Sequence, residues 1–245
     1  MAYLAKSLNL PAARITADDL VEWFALHDWK AETRRSYRSG IRGFFAWAVQ
    51  HGHLEINPAV DIPQVKVPRT AARPAPDVVY SQAVTVAEPR TALMLRLAAE
   101  VGLRRAEVAR VHTRDVRYSP AGAQLLVHGK GARERVVPIT SGLAAAITAG
   151  AGGHTPGGGD KGWLFPSSRG GHVSPAWVGT LCSEAMPGVW TLHTLRHRFS
   201  SRAYRGTRNL RAVQELLGHS NVAITERYTA VDDDEMRAAM MAAVA

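Results

Sequence analysis

Four short segments carry polar side chains whose types suit the cleavage of a phosphodiester. They are Gly102-Leu-Arg-Arg-Ala-Glu-Val108, His128-Gly-Lys-Gly131, Leu192-His-Thr-Leu-Arg-His197 and Leu216-Leu-Gly-His-Ser-Asn-Val-Ala-Ile-Thr-Glu-Arg-Tyr228. Without a metal, this reaction needs cations that balance charge on pentavalent phosphorus, a nucleophile, and an acid for the leaving oxygen. Each segment alone is weak evidence, since a Gly-Leu-Arg is usually a helix break followed by a surface arginine. Together the four segments supply every group that the reaction needs.

The residue types suggest a role for each group. Arginine has a planar fork that can hold two phosphate oxygens and never loses its charge, so Arg104 and Arg196 could clamp the two non-bridging oxygens. Tyr228 offers a phenolic oxygen for covalent attack, which would conserve bond energy for resealing. Lys130, which we expect at the tip of a hairpin, is a plausible proton donor to the leaving 5′-oxygen.

A metal site is the less favoured interpretation of the histidines. His193 and His197 are four residues apart, as paired ligands on a helix would be, but the glutamate of a His-Glu-x-x-His site is missing and no third ligand of matching spacing is evident. The single cysteine, Cys182, excludes an intrachain disulfide framework and a multi-cysteine metal site. We therefore expect no metal and no cofactor.

The elements that must position these groups belong mostly to a second, larger unit. Apolar β-branched segments at 124–128 and 135–139 flank Gly-Lys-Gly and predict a hairpin. Helical spacing predicts helices over 92–101, 192–205, 209–217, 221–228 and 234–243, with a short helix through Val108. Residues 149–161 hold six glycines and a proline, which indicates a flexible surface loop.

The first 70 residues are predicted to form a helical module. Thr16 can cap a helix over 15–25, and a second helix runs from about Thr33 to Gln50. Arg34, Arg38 and Arg42 form a basic row on that second helix, either a DNA-binding face or simply a solvated one. Five prolines between 58 and 76 indicate an extended connection between the two units.

Charge and hydropathy limit the class of protein. The 245 residues include 30 Lys and Arg against 21 Asp and Glu, a net charge of +9, of which residues 1–70 contribute +2 and the rest +7. This excess suggests a polyanionic partner, although charge alone does not separate a nucleic-acid-binding protein from other basic proteins. No run of 18 apolar residues and no secretory leader is evident, so we expect a soluble cytoplasmic protein without a membrane contact.

Taken together, the four segments resemble the boxes of the tyrosine recombinase (phage integrase) family, whose signature is Arg, Lys, His-x-x-Arg, His or Trp, and Tyr. The spacings are typical of that family: 23 residues from Arg196 to His219 and 9 from His219 to Tyr228. The resemblance implies a mainly α fold with a small antiparallel β-sheet. A helical core-binding (SAM-like) domain at 1–70 and a linker at 71–78 would precede an α+β catalytic domain at 79–245 with a C-terminal tail helix.

The resemblance also implies a role for each matched residue. Arg104 and Arg196 would bind the scissile phosphate, Tyr228 would form a 3′-phosphotyrosyl bond, and Lys130 would be the general acid. The histidines and the acidic residue complete the set: His193 would assist deprotonation of the tyrosine, His219 would hydrogen-bond the phosphate, and Glu107 would support the arrangement.

The family resemblance implies assembly as well. Met236, Met240 and Val244 form an apolar stripe in the tail, which would dock on a neighbouring protomer of a homotetramer built on paired duplex DNA core sites. The tail could instead dock within its own chain, or act as a degradation tag. Barely fifteen residues precede the first predicted helix, so we expect a minimal integrase without the domain that reads distal arm sites. The sequence does not decide whether a directionality factor acts with it.

Several functions are compatible with this set of residues. Phage integration and excision is the preferred hypothesis. The alternatives are a Xer-like dimer resolvase, a topoisomerase that relaxes supercoils, and a catalytically inactive DNA-binding regulator of the same fold. The complete set of polar boxes argues against the inactive regulator, because a protein that only binds DNA has no use for Tyr228.

Overall fold

The computed structural model describes residues 2–67 and 73–218 of the chain. Contacts divide the chain into two compact units, Met1–Thr70 and Ala71–Ala245. In the described ranges, no helix is both long enough and apolar enough to cross a membrane. The mainly α architecture with one small antiparallel sheet confirms the predicted fold class.

The first unit contains three α-helices in its described part: α1 (Ala2–Leu8), α2 (Ala17–Ala25) and α3 (Ala31–Gln50). Thr16 caps α2 as predicted, because its hydroxyl accepts from the Asp19 amide at 3.2 Å while the Asp19 carboxylate accepts from the Thr16 amide at 2.8 Å. Ile41 and Phe45, one turn apart on α3, are buried in the core. The three helices thus share one apolar core, whose buried members are Leu4, Ile15, Leu20, Trp23, Phe24, Ile41, Phe45, Ala59 and Ile62.

Helix α1 is an element that the sequence pattern did not predict. Its seven residues are too few to be helical on propensity alone. Tertiary contacts stabilise it: Leu4 is buried, and the Trp23 indole nitrogen donates to the Ser7 hydroxyl at 2.8 Å.

The second unit supplies seven further α-helices and a sheet in its described part. The helices are α4 (Asp77–Val86), α5 (Pro89–Glu100), α6 (Arg105–Ala109), α7 (Ser141–Thr148), α8 (Pro175–Glu184), α9 (Leu192–Thr207) and α10 (Leu210–Leu217). Because α4 begins at Asp77, the last two residues of the linker expected at 71–78 are helical. Helices α4, α7 and α8 were missed, although Thr140 and Ser174 cap two of them through their hydroxyls.

The sheet consists of β1 (Val116–Ser119), β2 (Gly122–His128) and β3 (Glu134–Pro138), antiparallel and in that order. The pairing of Leu125 with Val137 and of His128 with Glu134 confirms the predicted hairpin. The sequence did not predict β1, an edge strand whose middle residues are exposed and which therefore lacks apolar alternation. The hairpin matters for function because Lys130 lies in the short 3-10 turn at its tip.

Helix α5 lies at the centre of the core of this unit. Met94, Leu95, Leu97 and Ala98 are fully buried, so the helix is apolar on nearly every side. Cys182 on α8 is also fully buried in this core, and burial raises the pKa of its thiol to about 12.

The glycine-rich segment that was predicted to be a flexible loop is a compact turn. The Gly152 amide donates to the Gly159 carbonyl at 2.9 Å, and Ala151 is buried. A Cβ at Gly158 would lie only 2.7 Å from the Ala151 carbonyl carbon. The glycines are therefore needed because two backbone stretches pack directly against each other.

Candidate active site

A glycine at the end of α5 sets the position of Arg104. Gly102 has a φ of +73°, and a Cβ there would lie 2.5 Å from the Phe199 ring. The chain therefore turns sharply at a point where no side chain fits, and Arg104 arrives at the N-cap of α6. This explains locally why the first box reads Gly-Leu-Arg.

Glu107 is the acidic centre of the site. Its side chain is only 3% exposed, and its carboxylate accepts from both the Arg104 amide and the Arg104 guanidinium at 2.9 Å. Burial alone would raise the pKa of Glu107, but hydrogen bonds and positive charge from Arg135, together with the Arg104 amide and the charge of Arg196, lower it to about 2. Glu107 is thus ionised at any physiological pH and holds Arg104 in place.

Arg196, on the first turns of α9, is a buried cation. Its side chain is 2% exposed, and its guanidinium donates to the Gly102 carbonyl and, at 2.7 Å, to the Leu217 carbonyl. Its Nη1 lies 3.7 Å from a Glu107 oxygen. Arg196 therefore joins the end of α5, the end of α10 and the acidic centre.

The two predicted phosphate-binding arginines converge in this structure. Both reach the Leu217 carbonyl, Arg104 at 3.4 Å and Arg196 at 2.7 Å, and both face Glu107. The Arg104 side chain remains 44% exposed and reaches a groove between α6, α8 and α9. Arg196 borders the same groove but is almost fully buried, so the exposed Arg104 is the one that can meet an incoming anion directly.

His193 lines the same groove, on the first turn of α9. Partial desolvation lowers its pKa below the ordinary 6.5, and the positive charges of Arg196, Arg104 and Arg105 lower it further. The imidazole is therefore neutral at neutral pH, the state that can accept a proton.

The lowered pKa predicts a pH profile for DNA cleavage. Protonating His193 removes its capacity as a base, so the single-turnover cleavage rate should rise with pH and reach a plateau, with a midpoint below 6.5. His193→Gln should lower the plateau by about 10²-fold and remove this acid limb. His53→Gln, at an exposed histidine of the first unit, should leave the limb intact. A limb that persists in His193→Gln would contradict the assignment.

Lys130 is exposed and borders a second groove, of about 1010 Å³, together with Arg104, Glu107 and Arg135. The base of its hairpin is anchored by His128, whose ring nitrogens lie 3.0 Å from the Asp115 carboxylate and 2.9 Å from that of Glu134. Lys130 therefore lies in the same part of the second unit as Arg104, Glu107 and Arg135.

Sequence reasoning missed Arg135. Its guanidinium donates twice to Glu107, at 2.9 Å each, and its Nε donates to the Leu216 carbonyl at 2.8 Å. The alternation of side chains along a strand could have indicated this residue. Arg135 is two residues before the buried Val137 on β3, so both side chains lie on the same, inward face of the sheet. An arginine at an inward position of a strand needs a buried partner.

The basic row of the first unit has specific backbone partners. Arg34 donates to the Phe24 carbonyl, Arg38 to Ile62 at 2.9 Å and Arg42 to Val60 at 2.9 Å. These side chains are half-buried and tie α3 to neighbouring segments. Their contact with DNA stays a prediction.

Two of the predicted catalytic residues lie outside the described residues. These are His219 and Tyr228, and the same holds for the tail with Met236, Met240 and Val244. The last described residue, Gly218, ends α10 in the left-handed conformation, with a φ of +62°.

Comparison with known proteins places this arrangement in a family. The profile of the phage integrase family matches residues 78–235, a range that contains all six predicted catalytic positions. The tyrosine recombinase XerC of Rhodospirillum centenum is 32% identical in an alignment 222 residues long, which covers 84% of this chain and 64% of that protein. The chain thus spans less than two thirds of the length of this relative.

Solved structures agree on the fold. An integrase from mycobacterium phage Brujita is 28% identical, with a TM-score of 0.53 over 95% of this chain and 79% of that one. A lambda integrase dimer bound to a COC′ core site has a TM-score of 0.70 at 18% identity, over 93% of this chain and 86% of that one, and so supports the fold alone. The chain belongs to the phage integrase family of tyrosine recombinases.

Proposed function

We propose that this chain is a site-specific recombinase that cleaves and rejoins duplex DNA through a 3′-phosphotyrosyl intermediate. The observation that carries the proposal is the convergence of Arg104 and Arg196 on Glu107 and the Leu217 carbonyl, beside a groove lined by His193. Positive charge concentrated at one point, on fixed elements, is what the displacement at a phosphodiester needs. The lambda integrase structure that shares this fold is bound to a core site, which supports duplex DNA as the partner.

In the proposed cleavage step, the Tyr228 oxygen attacks the phosphorus while the bond from phosphorus to the 5′-oxygen breaks. The phenolic proton goes to His193, and Lys130 gives a proton to the departing 5′-oxygen. Rejoining reverses the step, with a 5′-hydroxyl as the nucleophile and the tyrosine as the leaving group, so no external energy source is required.

Each residue role in this step is part of the proposal. Arg104 and Arg196 balance the charge on the phosphate, Glu107 positions Arg104, and His219 hydrogen-bonds the phosphate. Arg34, Arg38 and Arg42 would contact DNA from the first unit, where their bonds to backbone carbonyls fix the direction of each guanidinium. Phosphate contacts of this kind give a salt-sensitive affinity.

Two biological uses have support. The mycobacterium phage integrase favours phage integration and excision, which would join two different sites. The XerC relative favours a Xer-like recombinase. In either case we propose a homotetramer on paired core sites, with the C-terminal tail as the contact between protomers, acting in the bacterial cytoplasm or nucleoid. A directionality factor would be an added partner in the first use.

The test starts from a library of random DNA duplexes, each carrying a nick that lets the short fragment with the freed 5′-hydroxyl escape. We expect a covalent adduct between protein and DNA that survives denaturation, and sequencing its DNA gives the target site. Strand exchange between two copies of that site would support the Xer-like use, and exchange only between two different sites would support integration. Specific binding without any adduct would overturn the enzymatic proposal in favour of an inactive regulator.

A further inference from the structure

Arg135 links three parts of the second unit through one side chain. From β3 it donates two hydrogen bonds to the Glu107 carboxylate on α6, and its Nε donates to the Leu216 carbonyl near the end of α10. The side chain is 13% exposed and that of Glu107 is 3% exposed, so this bidentate pair is largely screened from water. A paired geometry of this kind is the strongest that an arginine and a carboxylate can form.

The pair changes the charge that the site presents. Arg104, Arg135 and Arg196 lie within 3.7 Å of the Glu107 carboxylate, which is three positive charges around one negative charge. The net charge of the four side chains is therefore +2. A phosphodiester carries one negative charge, and attack by a phenolate makes the pentacoordinate species a dianion, so the net +2 of these four side chains opposes the charge that develops on the phosphate.

Geometry indicates which arginine neutralises the carboxylate. Arg135 engages both oxygens of Glu107, whereas Arg104 reaches only Oε1 with its guanidinium and Arg196 lies at 3.7 Å from Oε2. Without Arg135, the buried carboxylate would draw Arg104 and Arg196 into closer ion pairs, away from an incoming phosphate.

We propose that Arg135 is a positioning residue that neutralises Glu107, so that the charges of Arg104 and Arg196 act on the scissile phosphate. The inference rests on the proposed recombinase function and deepens it. The three described hydrogen bonds of the Arg135 side chain go to Glu107 and Leu216, so we expect it to act through the carboxylate.

The test compares Arg135→Met, Arg135→Lys, Glu107→Gln and the double variant Arg135→Met with Glu107→Gln. Single-turnover cleavage is measured at saturating duplex on the site recovered from trapped adducts, beside DNA affinity and denaturant unfolding. We expect Arg135→Met to cleave about 10²-fold more slowly, and Arg135→Lys, which keeps the charge but not the fork, about 10-fold more slowly. DNA affinity should change by less than about threefold, because the described hydrogen bonds of Arg135 go to groups of the protein.

Rescue by the second substitution separates charge from packing. The double variant has lost both members of the pair, yet its net charge is again +2. The side-chain oxygen introduced by Glu107→Gln would still accept from the Arg104 amide. We therefore expect the double variant to cleave within about 10-fold of the unmodified chain, faster than Arg135→Met alone. A merely structural Arg135 would make the double variant less stable and slower than the single one, which would overturn the inference.

A matched control is available on the edge strand of the same sheet. Arg117→Met on β1 removes one exposed positive charge that is not among the described partners of Glu107, and should cleave within about threefold of the unmodified chain at saturating duplex. If Arg135→Met does not fold, Arg135→Gln, which is also uncharged, with and without Glu107→Gln gives the same comparison. An adduct with the unmodified chain but unchanged cleavage in Arg135→Met overturns this inference alone, whereas no adduct with the unmodified chain overturns the proposed function and the inference with it.

Discussion

Tyr228→Phe should abolish covalent attachment to DNA while leaving duplex affinity unchanged. The substitution removes one oxygen, the proposed nucleophile, and no other group in the four boxes can form a phosphotyrosyl bond. Cleavage should fall by at least about 10⁴-fold, the scale on which enzymes lose activity when a nucleophile is removed. Trapped adducts on denaturing gels measure the first quantity, and equilibrium binding to the same duplex measures the second.

The chain offers a matched control for this substitution. Tyr118 lies on β1, is 72% exposed, and carries the same hydroxyl away from the boxes. Tyr118→Phe should therefore form adducts at the unmodified rate. If Tyr228→Phe still forms adducts, mapping the attached residue by mass spectrometry would show which side chain replaces it in the mechanism.

Arg196→Met should weaken both the fold and the chemistry. The carbonyls of Gly102 and Leu217 lose a buried donor, and Glu107 loses one of its nearby cations. Leaving two buried acceptors without this partner should lower the free energy of unfolding by roughly 2–5 kcal/mol. Cleavage per folded molecule should fall by about 10³-fold, because a cation near the transition state is gone.

Two further variants separate the effects on Arg196. Arg196→Lys keeps the charge but cannot reach both carbonyls with one planar fork, so it should recover part of the stability and little of the rate. Arg205→Met, at an exposed position on the same helix, should change the free energy of unfolding by less than about 0.5 kcal/mol. A stable Arg196→Met that cleaves at the unmodified rate would contradict both roles.

How far the sequence predicts this site depends on whether a signal is local. The hairpin with Lys130 was predicted because two apolar segments flank a glycine turn, and α9 because apolar residues recur at helical spacing. Both patterns are confined to short stretches of chain. The family resemblance then linked the boxes, although it carries no distances.

Contacts between segments that are distant along the chain could not be predicted from the sequence pattern. Arg196 meets the Gly102 carbonyl across 94 residues, and Arg135 meets Leu216 across 81, so no spacing rule predicts either bond. The same holds for Arg38, whose partner Ile62 is 24 residues away along the chain. Burial of a charged side chain depends on which acceptors the fold brings to it, and only the assembled structure shows them.

The buried thiol of Cys182 has a practical consequence for measuring local opening. It is the single cysteine of the chain and lies fully inside the core that α8 shares with α5. A thiolate is the reactive form, and the raised pKa of about 12 suppresses it while the core stays closed. The rate of labelling by a soluble thiol reagent therefore reports how often this core opens. DNA bound in the groove between α6, α8 and α9 should lower that rate.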